Sequence, residues 1–504
     1  MLRNKLLLFA LCILMSVASS VAQSTRHGIV KTQQLYINDS ISFLYNKHTT
    51  SAPFFYGNPK DTGKTKISLS IAPLLAVEPS FNINADKNFT FNWGIGAKTQ
   101  LETNKGWSGE VNFFRSFFNY SGYYARHINE TNDVFGYGYA DTTTGATSYV
   151  SGFLAYQPNK TFTFEAGMGN HFIGEGYRSL LLADNAYPYP YAKITAKFWK
   201  IKYENIYSNW WDIRFAGGNS ANFLDKYTTT HYLSYNPLKW LNIGFFETII
   251  FSAYDGDYYR GFDLNYINPV IFYRPVEYSQ GSADNALMGL TLKAVLKQKH
   301  VFYGQFLIDE FLLDEIRKAR GWWANKFAIQ AGIKSRNLFG IKHLNTLFEF
   351  NLIRPFTYSY YEQNPGTAAL LNYAHYGIPM AHPAGANLME QIARISYKKE
   401  KWLVVLQMNF LTVGKDTGNA NFGQNIFKSY DTRTQDFGNT FLQGEKSSTL
   451  HTSLKINYLL VKDADWIAFA SVHKYTGQSN TYNANQIFIS AGIKTFIRNR
   501  YDDY

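Results

Sequence analysis

Hydrophobic and polar residues alternate along several long segments of the chain. The longest clear example is 89–102. Its apolar face carries Phe89, Phe91, Trp93, Ile95, Ala97 and Leu101. The opposite face includes Asn92 and Lys98. Because successive side chains of a β-strand point to opposite faces, this period of two predicts strands with one apolar and one polar face.

The same alternation returns in segments 327–334 and 402–412. Short turns separate such segments, as at Asn104–Gly106 and Lys399–Lys401. The longer predicted strands exceed the average of about five or six residues in soluble proteins, and aromatic residues recur near their ends. In lipid, only a closed barrel leaves no strand backbone unpaired. These features predict strands that cross a membrane.

We therefore expect an all-β fold, a transmembrane antiparallel up-and-down β-barrel. At roughly 25 to 30 residues for each strand with its loop, the chain provides about 16 to 18 strands. The barrel would span 65–504, after a short N-terminal periplasmic lead-in at 23–64 that lacks long alternation. Segment 309–321 is rich in helix formers and stops at glycine, so we expect a short helix there, in a loop or a plug. The terminal aromatic, Tyr504, suits outer-membrane barrel assembly.

The first 22 residues have the features of a secretory signal peptide. Arg3 and Lys5 precede the apolar stretch 6–15, and Ser20–Ala22 provides a small-residue cleavage site. We therefore expect an exported protein in the outer membrane. The only cysteine, Cys12, lies in this segment, so the mature chain would have no disulfide and no cysteine-ligated metal.

Composition narrows the class of protein further. The 504 residues are 46% hydrophobic and 17% aromatic, with a mean hydropathy of −0.26. A disordered chain is poorer in aromatics, and a helical membrane protein has a higher mean hydropathy. The formal net charge of +12 allows contact with nucleic acid, lipopolysaccharide phosphate or acidic polysaccharide. Export makes nucleic acid the least favoured partner, and an ordinary basic surface also fits the charge.

Several catalytic motifs are absent from the sequence. It has no HExxH and no GxSxG, and the P-loop pattern fails because 169–174 is followed by Glu175. His451 and Ser453 have the His-x-Ser spacing of outer-membrane phospholipase A, but the alternation turns both side chains inward, away from lipid. We therefore expect a protein without catalytic residues, cofactor or metal.

Three aromatic clusters fall in predicted loops or strand ends: Tyr187–Tyr191, Asn209–Asp212 and Tyr254–Tyr259. Aromatic rings pack against the C–H faces of sugars, and carboxylate or amide groups bind sugar hydroxyls, so such clusters can hold glycans. An aromatic girdle at the level of the lipid headgroups explains each single cluster better.

The most distinctive segment is 169–190, GNHFIGEGYRSLLLADNAYPYP. It resembles the Gly-x-Gly-x-x-Ser-Leu-Leu-Leu-Ser-x-Asn-Ala-x-Pro-x-Pro segment of the Wzi capsule-assembly family, especially its RemB-like relatives, with Ala183 in place of the usual Ser. Three further stretches that fit these relatives follow in the same order: Leu264–Glu277 with Gly281–Asn285, Gln305–Glu310, and Arg354–Tyr358 with Ala381–Asn387.

The resemblance implies an outer-membrane barrel. Wzi members help to hold capsular polysaccharide on the cell surface, whereas RemB-like members are linked to gliding motility. We therefore expect a non-enzymatic barrel that binds or anchors capsular or exopolysaccharide. An accessory of the gliding or secretion apparatus, which would bind protein partners, remains an alternative. A diffusion channel is less favoured, because aromatic and Gly-Pro-rich segments between the strands indicate an obstructed lumen.

Nine polar residues, all of them in these segments, are the candidate site residues: Glu175, Arg178, Asn185, Arg274, Glu277, Asp284, Asn285, Asp309 and Glu310. Charged groups face lipid only at high cost, so we expect them in the lumen or a plug. They either form a structural ion network, which is the favoured interpretation, or contact polysaccharide. Arg178 and Arg274 are the best candidates for binding an acidic glycan or organising the plug, because guanidinium pairs in planar geometry with carboxylates. The expected partners are outer-membrane lipid or lipopolysaccharide and surface polysaccharide, with gliding or secretion proteins as the partners in the alternative role.

We predict that the protein fractionates with outer membranes and that its gel mobility changes on heating, because a barrel of paired strands resists detergent until it is heated. Cell fractionation and electrophoresis of heated and unheated samples check this. Recovery as a soluble periplasmic protein would contradict the barrel assignment.

Overall fold

The computed structural model describes residues 67–141, 144–217, 219–255, 258–269, 284–362, 369–461, 466–480, 483–495 and 501–504. The predicted signal peptide and lead-in lie outside the described residues, as do the candidate residues Arg274 and Glu277. The domain boundaries therefore stay a prediction.

The strands of the described chain follow one another as antiparallel neighbours. In chain order they are β1 (Ile67–Ile83), β2 (Phe89–Thr103), β3 (Trp107–Phe117), β4 (Ala146–Tyr156), β5 (Phe162–Gly169), β6 (Tyr189–Phe198), β7 (Ile201–Asp212), β8 (Leu224–Leu238), β9 (Leu241–Ser252), β10 (Tyr254–Asp255), β11 (Tyr258–Tyr259), β12 (Asn285–Leu296), β13 (His300–Glu310), β14 (Lys326–Arg336), β15 (Leu344–Ile353), β16 (Ala374–His375), β17 (Ile378–Pro379), β18 (Leu388–Lys399), β19 (Trp402–Lys415), β20 (Glu445–Val461), β21 (Trp466–Gln478) and β22 (Asn483–Thr495).

Eighteen of these strands form one closed sheet, and the pairs β10–β11 and β16–β17 form two short separate hairpins. The ring closes where β22 pairs with β1, for example at Val77 and Ile493. This arrangement confirms the predicted antiparallel barrel and the upper end of the predicted strand number. The predicted turn at Asn104–Gly106 lies between β2 and β3. The predicted turn at Lys399–Lys401 lies between β18 and β19, with Lys399 as the last residue of β18.

Two α-helices lie among the described residues, α1 (Gly122–Thr131) and α2 (Leu313–Lys318). Helix α2 is the short helix predicted from segment 309–321; it lies in a loop and ends at Ala319, which is left-handed with φ of 52°. Single 3₁₀ turns occupy Ser220–Asn222, Leu264–Ile267, Leu338–Gly340 and Tyr430–Thr432. None of the helices in the described ranges is long and apolar enough to cross a membrane.

Helix α1 was not predicted, and it packs against the inner wall of the barrel. Tyr123 stacks on Tyr475 of β21 with ring centroids 4.2 Å apart, and Tyr124 meets Phe488 of β22 edge-on at 4.8 Å. The helix begins at Gly122 with φ of +59°, where a Cβ would collide with the Gln486 side chain. Glycine therefore allows the close approach of α1 to β22.

The two faces of the wall follow the alternation in the sequence. Phe91, Trp93 and Ile95 point outward and are 41–52% exposed. Lys98 points inward, and its ammonium lies 3.6 Å from the Glu110 carboxylate of β3. Exposed apolar side chains recur on the outer face of many of the other strands. A closed sheet with such a belt is the arrangement that a bilayer requires of strands.

The two ends of the barrel differ. Adjacent strands are joined by tight turns at one end, such as Trp199–Lys200 and Glu400–Lys401, and by long segments such as 118–145, 170–188 and 354–387 at the other. We call them the turn end and the loop end. Outer-membrane barrels have short periplasmic turns and longer extracellular loops, so the loop end faces the exterior.

The described parts of two of the long segments fold into the lumen. We call 170–188 the first plug segment, and 355–362 together with 369–387 the second. Leu180 and Leu181 of the first are fully buried, as are Tyr358 and Tyr373 of the second. Both segments share one apolar core with inward side chains of β6 to β9, β12 to β15, β18 and β19. The lumen next to these strands is therefore filled by side chains, in agreement with the predicted obstruction.

We predict that single cysteines at 91, 93 and 95 react with lipid-soluble probes and those at 92 and 98 with water-soluble ones. A register slip by one residue would place Lys98 in hydrocarbon, at a cost of about 2–4 kcal/mol near the midplane. Labelling of the variants in membranes measures the facing. Cys12 lies in the predicted signal peptide, so background labelling of the mature chain should be negligible. The reverse labelling pattern would contradict the assignment.

Candidate functional site

The first plug segment is shaped by Ser179. Its hydroxyl donates to the Ile173 carbonyl at 2.6 Å and accepts from the backbone N–H groups of Leu181 and Leu182 at 3.1 and 3.2 Å. The backbone N–H of Ile173 in turn donates to the Leu182 carbonyl at 2.9 Å. These bonds close a compact hairpin whose tip, residues 174–181, meets the barrel wall.

Arg178 lies at the tip and is 2% exposed. Its Nε and Nη2 donate to the Glu390 carboxylate of β18 at 3.2 and 2.9 Å, and Nη2 also donates to Asp503 at 2.9 Å. His382 Nε2 lies 2.8 Å from the same Glu390. The forked guanidinium is therefore held between two carboxylates in the middle of the lumen, the planar pairing expected of a buried arginine.

Glu349 of β15 binds the backbone next to Arg178. It accepts hydrogen bonds from the N–H groups of Tyr177 and Arg178 at 2.7 and 3.0 Å, from the Tyr303 hydroxyl at 2.8 Å and from Asn351 at 3.0 Å. The neighbouring Gly176 must lack a side chain, because a Cβ there would collide with this carboxylate. The Gly-x-Gly spacing of the motif therefore reflects close packing on the wall.

Glu175 forms a second ion cluster on the other side of the tip. Its carboxylate accepts from Lys293 of β12 and Lys334 of β14, each at 2.9 Å. Burial alone would raise the pKa of Glu175, but the two ammonium groups outweigh burial and lower it. Side chains of the barrel wall therefore form ion pairs with both charged residues of segment 175–178, Glu175 and Arg178.

The remaining described candidates lie nearer the loop end, around the second plug segment. Asp309 accepts from the Tyr358 N–H at 2.7 Å and lies 3.4 Å from Lys326, which is also 3.1 Å from Glu310. Asp309 and Lys326 are buried, whereas the Glu310 side chain is one-third exposed. These charges anchor the second plug segment to β13 and β14.

Three amide or carboxylate groups complete this layer. Asn185 donates to the Pro379 carbonyl at 2.9 Å and Asn285 to the Leu371 carbonyl at 2.8 Å. Asp284 accepts from the Tyr266 hydroxyl at 2.5 Å. The structure thus brings Glu175 and Arg178 together at the centre of the lumen and places the other five described candidates toward its mouth.

Most of the side chains that bind these candidates, their ion partners or the first plug segment were not singled out in the sequence. They are Lys293, Gln305, Lys326, Gln330, Lys334, Glu349, Glu390, Gln407, Asn409, His382 and Asp503. All but the last two lie on strands at inward positions, so the alternation marks them as polar residues of the lumen. Their pairing with the plug is a tertiary property that the alternation does not contain.

Residues 501–504 also lie in the lumen. Asp503 accepts from Tyr177 at 2.7 Å as well as from Arg178, and Tyr501 donates to Asp184 at 2.8 Å. The last barrel strand ends at Thr495, so Tyr504 is not its terminal aromatic, contrary to the use proposed for it from the sequence. These four residues instead complete the Arg178 cluster.

Two of the three aromatic clusters lie neither in an aromatic girdle at the lipid headgroups nor on an exposed glycan-binding surface. Tyr189 and Trp210 are 0–1% exposed and belong to the apolar core of the lumen, and Tyr187 is also buried. In the third cluster, Tyr258 and Tyr259 are exposed near the loop end. His451, the residue tested as part of a lipase pair, is buried in the lumen 3.3 Å from His473.

An open polar groove of about 690 Å³ lies at the loop end between α1, the β1–β2 turn and the start of β22. Its polar lining residues are Asn84, Asp86, Arg126, Asn129, Glu130, Asn483, Asn485 and Gln486. The Asn84 side chain donates to the Asn485 carbonyl at 3.1 Å, and Gln486 accepts from the Tyr123 N–H at 3.0 Å. These bonds tie the three elements into one surface.

Within the described ranges, no three His, Cys, Asp or Glu residues are grouped to hold a metal ion. The chemistry that these residues offer is hydrogen bonding and ion pairing.

Comparison with solved structures supports the fold. Wzi of Escherichia coli, an outer-membrane protein involved in group 1 capsule assembly and a carbohydrate-binding β-barrel, matches with a TM-score of 0.52 at 13% identity, over 96% of this chain and 92% of Wzi. OprD of Pseudomonas aeruginosa matches at 0.41 and 10% identity, over 84% and 94% of the two chains. OccAB2 of Acinetobacter baumannii matches at 0.43 and 9% identity, over 84% and 97%.

No protein-family model and no curated protein matches the chain. The similarity to Wzi therefore shows a shared barrel fold, and the likeness to the other two barrels is too weak to add to it. The closer resemblance to RemB-like relatives stays a prediction from the motifs.

We predict that Arg178→Gln lowers the free energy of unfolding by about 3–5 kcal/mol, because it leaves the Glu390 and Asp503 carboxylates buried without their cation. Urea unfolding of the detergent-solubilised barrel, with heat-dependent gel mobility as the readout of the folded fraction, measures the loss of unfolding free energy. Arg260→Gln is the matched control, since this half-exposed arginine lies 3.9 Å from Asp263 at the loop end. It should change stability by less than about 0.5 kcal/mol. Equal effects of the two substitutions would contradict a structural role for the Arg178 cluster.

Proposed function

We propose that the protein is a non-enzymatic outer-membrane barrel that binds surface polysaccharide, capsular or exopolysaccharide, at its loop end. The observation that carries this proposal is the open groove between α1 and β22, beside a lumen packed by plug segments. Its volume lies in the range of about 300–1,000 Å³ typical of ligand sites. The fold shared with Wzi, a carbohydrate-binding barrel, supports the same function.

The groove lining suits sugar hydroxyls. Asn and Gln side chains each offer a donor and an acceptor, as a hydroxyl requires of its partners. Asp86 and Glu130 carry two negative charges and Arg126 one positive charge, so the formal sum in the groove is −1. A hydroxyl-rich neutral stretch of polysaccharide fits this surface better than a run of uronic acids.

The nine candidate residues have a different role in this proposal. The described ones anchor the plug segments, so we infer that they act as the lumen network and support the loop end indirectly. Arg178 cannot reach a glycan while Glu390 and Asp503 hold it in the lumen.

We predict that the double substitution Asn129→Ala and Asn485→Ala weakens binding of the strain's own surface polysaccharide about tenfold, because two hydrogen-bonding groups are lost at about 0.5–1.5 kcal/mol each. Ala125→Trp, which fills the groove, should reduce binding at least as much. Titration of purified protein measures both. Asn222→Ala is the control, because Asn222 is exposed in another loop at the same end.

Normal binding by both groove variants, with intact heat-dependent mobility, would contradict the groove as the site. A deletion strain separates the proposal from the accessory role in gliding or secretion. Loss of cell-bound polysaccharide with normal movement supports polysaccharide binding. Arrested gliding or secretion with normal polysaccharide retention would favour the role of an accessory that binds protein partners.

A further inference from the structure

Arg354 directly follows β15 at the loop end and lies on the outer face of the wall. Ile353 before it is buried in the lumen, so the alternation turns Arg354 outward. Its backbone N–H donates to the carbonyl of Phe327 on β14 at 3.0 Å, which makes the two residues cross-strand neighbours. Tyr358 of the same motif belongs to the second plug segment, but the Arg354 side chain contributes neither to the plug network nor to the groove.

Aromatic rings surround the Arg354 guanidinium. Its Cζ lies 5.6 Å from the ring centroids of both Phe327 and Phe441. The Phe327 ring is 6.2 Å from that of Phe306, an exposed residue of the apolar belt on β13. The guanidinium therefore sits at the upper edge of the belt, where lipid headgroups begin.

The hydrogen-bonding capacity of this guanidinium is largely unused within the described chain. Nε is buried without an acceptor, and Nη2 reaches only the Asn439 carbonyl, at 3.4 Å. Burial lowers the pKa of Arg354. The described structure shows no ion pair from Arg354 to a carboxylate. A desolvated guanidinium with unused donors is stabilised by an anion that supplies several oxygens.

The adjoining surface is basic and apolar at once. Phe311, Leu312, Leu313 and Ile316 are each 45–51% exposed around α2. Beside them, the side chains of Arg317, Lys318 and Arg320 are 71%, 57% and 50% exposed. With Arg354 these are four positive charges against Asp314 and Glu315, which leaves a formal sum of +2.

Arg320 belongs to the same surface as Arg354. Its Cζ lies 4.5 Å from the Phe437 ring centroid, and its carbonyl accepts from the Gly438 N–H at 2.8 Å. Arg354 contacts Asn439 and Phe441 of the same segment. Segment 437–441 therefore contacts the Arg320 guanidinium at Phe437 and the Arg354 guanidinium at Phe441.

We propose that this outer surface of β13 to β15 binds the phosphorylated headgroup of lipopolysaccharide. Arg354 holds the lipid A phosphate, Arg320 adds positive charge beside it while its guanidinium is paired with Glu315, and the apolar residues around α2 pack on the lipid. Phosphate oxygens match the guanidinium fork, and the exposed apolar side chains match acyl chains. The site is separate from the groove, which involves β1, α1 and β22. It therefore goes beyond polysaccharide binding and can be tested independently.

The test compares binding of diphosphoryl lipid A and of the same lipid A without its phosphates to the full chain purified in detergent. We expect the protein to bind the phosphorylated lipid at least tenfold more tightly. Arg354→Gln should remove most of this preference, and Arg354→Lys should retain part of it because the charge remains while the fork is lost. Arg320→Gln provides a second variant on an exposed residue, in case Arg354→Gln does not assemble.

Lys239→Gln is the matched control, because Lys239 is an exposed lysine in a turn at the opposite end of the barrel. It should leave the preference unchanged. The proposal is overturned if the unmodified protein shows no preference for phosphate, if Arg320→Gln and the assembled Arg354 variants keep the full preference, or if phosphatidylglycerol binds as tightly as diphosphoryl lipid A. Polysaccharide binding at the groove should be unaffected in every Arg354 and Arg320 variant, so failure of one proposal is distinguishable from failure of the other.

Discussion

The rest of the lumen depends on the pairing of Arg178 with Glu390 and Asp503. A guanidinium withdrawn from water is tolerated only if carboxylates and further hydrogen bonds replace its hydration. Glu390 comes from β18 and Asp503 from residues 501–504, whereas the counter-charges of Glu175 are Lys293 of β12 and Lys334 of β14. The first plug segment can therefore sit in the lumen in one orientation, with each end of its charged tip facing its own counter-charge.

This arrangement moves ligand chemistry away from the lumen. A wide barrel without a plug would expose polar wall residues to a water-filled passage. Here the plug segments occupy them, and the loop end and outer rim remain for binding. The groove beside α1 and the basic surface beside α2 lie on different parts of that end, so the two proposed ligands, a hydrated polymer and a membrane lipid, would not compete for the same residues.

The sequence predicted the wall better than its contents. Alternation is a local property, so it revealed the facing of Phe91 and Lys98 and the inward position of His451. Helix α1 was not predicted because its first residues, Gly122, Tyr123 and Tyr124, are weak helix formers. The helix depends on packing against Tyr475 and Phe488. The motif around Arg178 was recognisable, but its partner Glu390 lies 212 residues further on. Strand order and the path of the plug segments decide which inward charges form pairs. The residue pattern of a single segment predicts neither of them.

The position of Asp503 has a consequence for the timing of assembly. It is 325 residues from Arg178, yet the two side chains are in contact. The final strand, β22, also closes the wall by pairing with the first. The carboxylate that completes the central cluster is therefore synthesised at about the same stage as the strand that seals the cylinder. A chain truncated before β22 would have an open seam between β1 and β21, and Arg178 would keep Glu390 but lose Asp503 as a carboxylate partner.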